Sequence, residues 1–252
     1  MPVLRGRLRG SALPRARIAG RRVVRAMAWL LCLLFSFVAH RGEARKGGRR
    51  APGPQTPKRA LNMPPDWTWP PSPRMIEEGR RCLERLDHLG VVWEEGRPTK
   101  KVTTPVVIPG MELGGVKITP LYGKPPYVMD CHLAETLAAG AAPVLLRNGV
   151  REIRVTSLHA YRNLRGRRIM SRHAVGLGAD IYEFVMTNGS VRRVKGGYWT
   201  RDGALKTIER GLRETGLFRG PITPGNDRRG HNDHFHIEAR TPAERRTPAP
   251  NA

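Results

Sequence analysis

Two stretches of the sequence carry residue types that suit a divalent metal site. His173 and Asp180 are separated by six residues, and two of these, Gly176 and Gly178, let the backbone turn so that both side chains face one point. His234 and His236 follow near the C-terminal end. Two imidazoles and one carboxylate form a donor set for Zn²⁺, and a catalytic zinc site uses three protein ligands with one open position. The pattern therefore predicts zinc-dependent chemistry.

Short strands must position these side chains. Side chains alternate between the two faces of a strand. In the predicted last strand, His234 and His236 therefore share one face, while Phe235 points into the core. Asp180 begins another predicted strand. The alternative is that the histidines are surface residues and that Asp180 is a cap or an ion-pair partner, and composition alone leaves both interpretations open.

Hydrophobic periodicity and turn residues predict the remaining elements. Ser72 and Pro73 provide a capping hydroxyl and a first-turn proline for a helix. Asn188-Gly189 is a strong two-residue hairpin signal. The predicted helices cover residues 73–89, 131–142 and 201–214, and the predicted strands cover 102–108, 116–119, 152–156, 180–187, 190–194 and 234–239. This order predicts an α+β fold in which helices pack with a small antiparallel sheet.

The distribution of charge bears on the partners of the protein. The chain has 252 residues and a formal charge of +24, with 45 basic and 21 acidic residues. Residues 1–60 contain 15 of the basic residues and a single acidic one, so the remaining 192 residues carry 30 basic and 20 acidic groups, a net +10. The basic leader is interrupted by an apolar run and has no interleaved stacking aromatics, so nucleic-acid binding is not expected.

Composition also divides the chain into segments. A basic flank, the apolar run 27–39 and small residues after it are typical of an export signal, and the alternative is an uncleaved N-terminal anchor. Contact with a membrane is expected only through this signal segment. The predicted segments are an export signal at 1–44, a basic Pro-rich linker at 45–73, a domain at 74–240 and a loose tail at 241–252. The oligomeric state is not predicted.

Two cysteines remain once the predicted signal, with Cys32, is set aside. Cys82 and Cys131 form an even pair in a chain predicted to be exported, which favours one disulfide. Two buried free thiols are the alternative.

The motif Ser-x-His-x-x-Gly-x-x-x-Asp, formed by Ser171, His173, Gly176 and Asp180, precedes a late His-x-His. This combination resembles zinc peptidases of bacterial cell walls, a superfamily that includes lysostaphin-type enzymes, D-Ala-D-Ala metallopeptidases, murein endopeptidases and hedgehog domains. Residues from about 80 to 240 more closely resemble the extensin-like C-terminal domain family. The matching stretches are 82–86, 89–91, 131–134, 171–184 and 231–237.

The resemblance implies a D-Ala-D-Ala metallopeptidase/hedgehog-like fold in which His173, Asp180 and His236 are the zinc ligands. The family pattern has further cysteines near Ile108 and near Tyr161, which this chain lacks, so only one disulfide is expected.

The resemblance also implies residues that act beside the metal. His234 and His231 match histidines of the murein endopeptidases, where the first is a catalytic or substrate-contacting residue. Asp233 matches the position of a catalytic Glu in the D-Ala-D-Ala peptidases, so both His234 and Asp233 are candidates for the general base. We favour His234, because it shares the strand face of His236. Arg162 is a candidate to hold a developing oxyanion or a substrate carboxylate, with an ordinary surface arginine as the alternative.

These implications predict an exported zinc-dependent peptidase of the periplasm or cell envelope. Its expected partner is peptidoglycan or another cell-envelope polymer. The expected activity is that of a carboxypeptidase or an endopeptidase acting on peptidoglycan peptides. The alternative is a non-catalytic cell-wall-binding or structural module that retains the fold.

Overall fold

The computed structural model of this chain describes residues 62–123 and 127–246. The predicted export signal and most of the predicted linker lie outside the described residues. The helices are α1 (Pro73–His88), α2 (Cys131–Thr136), α3 (Ala142–Arg147), α4 (Val194–Gly197), α5 (Ala204–Glu214) and α6 (Pro242–Arg245). The strands are β1 (Glu94–Glu95), β2 (Pro105–Val107), β3 (Glu112–Leu113), β4 (Val116–Pro120), β5 (Val128–Asp130), β6 (Val150–Val155), β7 (Gly178–Met186), β8 (Val191–Arg193) and β9 (Phe235–Glu238).

The first helix begins where the sequence predicts. The Ser72 hydroxyl accepts a hydrogen bond from the Met75 N–H, and Pro73 occupies the first turn, where no backbone donor is needed. Cys82 is fully buried on this helix and forms a disulfide with Cys131 at the start of α2, which confirms the predicted pairing. The bond fastens the two helices to each other.

The second predicted helix was expected to end near Ala142, and this prediction is wrong. The chain passes through a π-helical turn at Leu137–Ala141 and continues as α3. Pro143 lies directly after the π-helical turn, at the point where the backbone returns to α-helical geometry. A proline that sequence patterns associate with a helix end therefore lies within a continuous run of helical backbone.

The α+β class is confirmed, but the single small antiparallel sheet is wrong. In the described residues the strands form two sheets, an antiparallel one with the order β1-β2-β5 and a six-stranded one with the order β3-β4-β6-β7-β8, in which β9 also pairs with β7. Strands β4 and β6 pair in parallel. The two helices α2 and α3 lie between them in the chain, and a helical crossover brings the next strand back in the same direction.

Strand β7 organises the larger sheet. Strand β6 pairs along one edge, while β8 and β9 share the other edge, β8 at residues 183–185 and β9 at residues 178–181. The predicted hairpin is confirmed: β7 and β8 are antiparallel, and Gly189 has a φ of 84°, which glycine adopts without strain. The two halves of β7 therefore have different neighbours, and its first half meets β9.

The core lies against the face of β9 that carries Phe235. This ring packs on Phe184 and Tyr198, with ring centroids 5.3 and 6.0 Å apart. Helix α5 contributes the buried residues Leu205, Ile208 and Leu212. The other face of β9 is thereby left for polar side chains. Among residues 62–123 and 127–246, no helix is long and apolar enough to cross a bilayer.

Helix α6 follows residue 240, the predicted end of the domain. Thr241 and Glu244 form a capping box at the start of α6. The Glu244 carboxylate forms an ion pair with Arg172, which is fully buried. The described part of the Pro-rich segment also joins the core through Met63, which is 2% exposed.

Candidate metal centre

The register between β7 and β9 brings Asp180 and His236 together. The two residues are direct partners in the antiparallel pairing, so their side chains stand side by side on one face. The distance from Asp180 Oδ1 to His236 Nδ1 is 2.6 Å. The face is the one opposite Phe235, as strand alternation predicts.

A capped 3-10 turn brings His173 to the same point. The Ser171 hydroxyl accepts a hydrogen bond from the His173 N–H, and Gly176 ends the turn with a φ of 70°. A Cβ atom on Gly178 would lie 3.3 Å from the His173 ring, so glycine allows the ring to pass close to the strand. His173 Nε2 lies 3.1 Å from Asp180 Oδ1 and 3.2 Å from His236 Nδ1.

These three side chains fit a metal ion. They are 0, 5 and 7% exposed, and one donor atom from each lies within 4.8 Å of the others. Ligand atoms bound to one tetrahedral zinc ion are roughly 3.4 Å apart. Donor atoms 2.6 to 3.2 Å apart can therefore share one small cation after small side-chain shifts. Two imidazoles and one carboxylate suit zinc and other divalent first-row metals.

The charges of the cluster depend on burial and on mutual contacts. Burial favours the neutral carboxylic acid, but hydrogen bonds to His173 and His236 lower the pKa of Asp180 well below its usual range. Burial lowers the pKa of His173. For His236 burial also opposes the charged form, but contacts with Asp180 and Glu238 raise the pKa to about 9. The cluster therefore offers an ionised carboxylate and one imidazole that is neutral at pH 7.

Glu238 also contacts the cluster and was not predicted from the sequence. Its Oε1 lies 3.0 Å from His236 Nε2, the ring nitrogen that faces away from Asp180. Arg219 forms a salt bridge of 2.8 Å with the other oxygen of Glu238. A carboxylate on the outer nitrogen of a metal-binding histidine fixes the ring's orientation and tautomer. Glu238 lies two positions after His236 on the same strand, so the alternation used for His234 could have found it.

His234 lies at the edge of the cluster. Its Nε2 is 3.7 Å from Asp180 Oδ1, and its Nδ1 is 2.7 Å from Asp233 Oδ1. The ring stacks on Tyr182, with centroids 4.9 Å apart and an interplanar angle of 19°. Tyr182 follows Asp180 by two positions on β7, and its stacking role was not predicted. The Asp233 carboxylate thus contacts the outer nitrogen of His234.

His231 and Arg162 also lie beside the cluster. The His231 ring centroid is 4.8 Å from that of His234 and 5.6 Å from that of His236. Asp227 contacts His231 Nδ1 at 2.8 Å. Arg162 Nη2 lies 3.5 Å from Asp180 Oδ2, with half of its side chain exposed. The three predicted ligands therefore lie beside His234, His231 and Arg162, and Asp233 reaches the cluster through its contact with His234.

A second group, Cys82, His132 and Glu135, also brings metal-binding residue types together. Cys82 is in a disulfide and supplies no thiolate. Burial opposes charging of His132, but Asp130 and Glu78 raise its pKa to about 9. Without the thiolate, only His132 and Glu135 of this group remain as donors, fewer than the three that such a metal site uses. The part of this group that connects α1 to α2 is the disulfide of Cys82.

The fold and the site place this chain in a general class, that of α+β domains with a buried His-Asp-His cluster that could bind a metal ion. The chain matches the family described as "Extensin-like protein C-terminus" over residues 80–247, which is more than half of its length. It therefore belongs to the extensin-like C-terminal domain family. No curated protein and no solved structure matches the chain.

Proposed function

We propose that this protein is an exported zinc-dependent peptidase that hydrolyses peptide bonds in peptidoglycan, as a carboxypeptidase or an endopeptidase. The observation that carries the proposal is the convergence of His173, Asp180 and His236, buried and within 3.2 Å of one another. The motif's resemblance to zinc peptidases of bacterial cell walls supports this substrate class.

The three residues would hold the metal through His173 Nε2, Asp180 Oδ1 and His236 Nδ1. Zinc, when bound, supplies a Lewis acid that activates water and polarises a carbonyl group. Glu238 would keep the His236 ring oriented through its outer nitrogen. The burial of the donors excludes bulk water from the ligand side of the site.

His234 is suited to move the proton that hydrolysis requires. Its Nε2 faces the donor cluster, while Asp233 contacts its Nδ1 at 2.7 Å. A carboxylate in this position fixes the tautomer and stabilises the imidazolium that forms when Nε2 takes a proton from the attacking water. The same nitrogen would then protonate the leaving amine. Asp233 would act through His234, as a positioning residue.

Arg162 would bind negative charge at the mouth of the site. Its guanidinium is half-exposed and lies next to Asp180. A planar donor group in this place suits either a substrate carboxylate or the oxyanion that develops on the scissile carbonyl. His231, held by Asp227, would line the same side as His234.

The disulfide supports an oxidising compartment. Cys82 and Cys131 are bonded, and disulfides persist in exported proteins far more than in the cytosol. The basic flank and apolar run of residues 1–44 support export to the periplasm or cell envelope. The net positive charge of residues 61–252 suits an anionic envelope polymer.

The test is a digest of purified sacculi with the purified full chain, with and without a chelator. The proposal predicts released peptides or D-alanine, loss of release with the chelator, and recovery with added zinc. His173→Ala should abolish release, while His88→Ala, an exposed histidine on α1, should not change it. Bound zinc without any released product would contradict the peptidase and would favour a non-catalytic wall-binding module.

A further inference from the structure

A cleft of about 520 Å³ lies where β2 and β5 meet the segment that follows β6. Three aliphatic side chains form part of its wall. The polar residues lining it are Arg97, Thr99, Tyr127, Ser157 and His159. Its volume falls in the range of pockets that hold drug-sized or dipeptide-sized ligands.

Backbone hydrogen bonds place this cleft next to the metal centre. The Thr156 N–H donates to the Asp180 carbonyl at 3.3 Å, and the Ala160 N–H donates to the His173 carbonyl at 3.0 Å. Ser157 and His159 lie between these two bonded positions in the chain. The wall of the cleft is therefore attached at both ends to residues of the candidate metal site.

The polar wall favours a negatively charged ligand. None of the described residues lining the cleft is acidic. Arg97 is exposed and forms no ion pair within the described part of the chain. Unpaired cationic and hydroxyl groups of this kind bind carboxylates through charge-assisted hydrogen bonds.

We propose that this cleft is a subsite for an acidic residue of a peptide, whose carboxylate contacts Arg97 and Ser157. The identification of that peptide as substrate rests on the proposed function. Binding of the peptide does not, since it needs no metal and no turnover. The subsite gives the candidate peptidase a preference for peptides that carry a carboxylate side chain close to the bond held at the metal centre.

The experiment is calorimetric titration of the purified full chain with two matched probes, N-acetyl-Ala-Glu-amide and N-acetyl-Ala-Gln-amide. These differ in one charge and are nearly equal in size. Each titration is run on zinc-loaded protein and again with a chelator, which separates binding in the cleft from carboxylate binding to the metal. The variants are Arg97→Gln and Ser157→Ala, with Arg147→Gln, an exposed arginine at the end of α3, as the matched control.

The proposal predicts that the Glu probe binds at least about tenfold more tightly than the Gln probe, with and without the chelator. Arg97→Gln should remove most of this difference and Ser157→Ala part of it, while Arg147→Gln should keep it. Three results would each overturn the subsite. The two probes could bind with equal affinity, the difference in affinity could survive Arg97→Gln, or it could be lost when the chelator is added. Circular dichroism melts of each variant identify any that fails to fold, and Ser157→Ala then carries the test. If the protein binds the Glu probe more tightly than the Gln probe but does not digest sacculi, the proposed peptidase activity is contradicted and the proposed subsite is supported.

Discussion

His236 lies between two carboxylates, Asp180 on its inner nitrogen and Glu238 on its outer nitrogen. Although burial favours the neutral acid, the contact with His236 lowers the pKa of Glu238 to about 2. The carboxylate is therefore ionised at neutral pH and can hold the ring whether the inner nitrogen carries a proton or a metal ion.

Glu238→Gln should weaken zinc binding by about 10- to 100-fold, because the amide is a poorer partner for the outer nitrogen than the carboxylate. Competition with a chromophoric chelator measures the affinity. Glu183→Gln, on β7, is the control, since Glu183 pairs with Arg154 and Arg193 rather than with a ligand. Unchanged affinity in Glu238→Gln would show that the ring needs no such support.

His234→Gln should retain zinc but lower the release of products from sacculi by about 10²- to 10⁴-fold, because the variant cannot carry a proton. Asp233→Asn should lower release by a smaller factor, since it removes only the group that orients His234. Product release and zinc content are measured on the same preparations. Normal release by His234→Gln would assign the proton transfer to another group.

Strand periodicity could predict which residues share a face of a strand but not which strands are neighbours in the sheet. His234 and His236 were placed on one face from the sequence, and the Asn-Gly hairpin was found in the same way. The pairing of β7 with β9 joins residues 56 positions apart in the chain, and no local pattern encodes it. The parallel pairing of β4 with β6 was missed for the same reason. The ligand set therefore came from resemblance to a known motif.

The disulfide between α1 and α2 should stabilise the domain without contributing to the metal site. It closes a loop with a sequence separation of 49, which corresponds to about 4 kcal/mol of chain entropy. The double variant Cys82→Ser with Cys131→Ser should lose about this much stability in urea denaturation and should still bind zinc. Loss of zinc in a variant that remains folded would show that the cysteines support the site directly.

Chain segments from both sides of the domain hold the loop that carries His173. The neighbouring residue Arg172 is fully buried and donates to the Asn62 carbonyl at 2.6 Å and to the Glu244 carboxylate at 3.1 Å. Asn62 lies in the predicted linker and Glu244 in the predicted loose tail. Composition marked both segments as polar and Pro-containing, and it could not show that a buried arginine requires partners from them.

Glu244→Ala should destabilise the protein by about 3 kcal/mol, because Arg172 would keep a buried charge without its carboxylate. Zinc affinity should also fall, since Arg172 adjoins His173. Urea denaturation and chelator competition measure the two effects, with Glu214→Ala, an exposed residue on α5, as the control. Equal stability of Glu244→Ala and Glu214→Ala would show that the C-terminal segment does not fasten the loop.

The most direct test of the shared metal site is the zinc content of the purified full chain, determined by mass spectrometry of the element after gel filtration. We predict about one zinc ion per chain, and near-complete loss of zinc in His173→Ala, in Asp180→Ala and in His236→Ala, with His88→Ala unchanged. Circular dichroism of each variant establishes that it is folded. A folded wild-type chain that binds no zinc, or folded variants that keep it, would contradict the site.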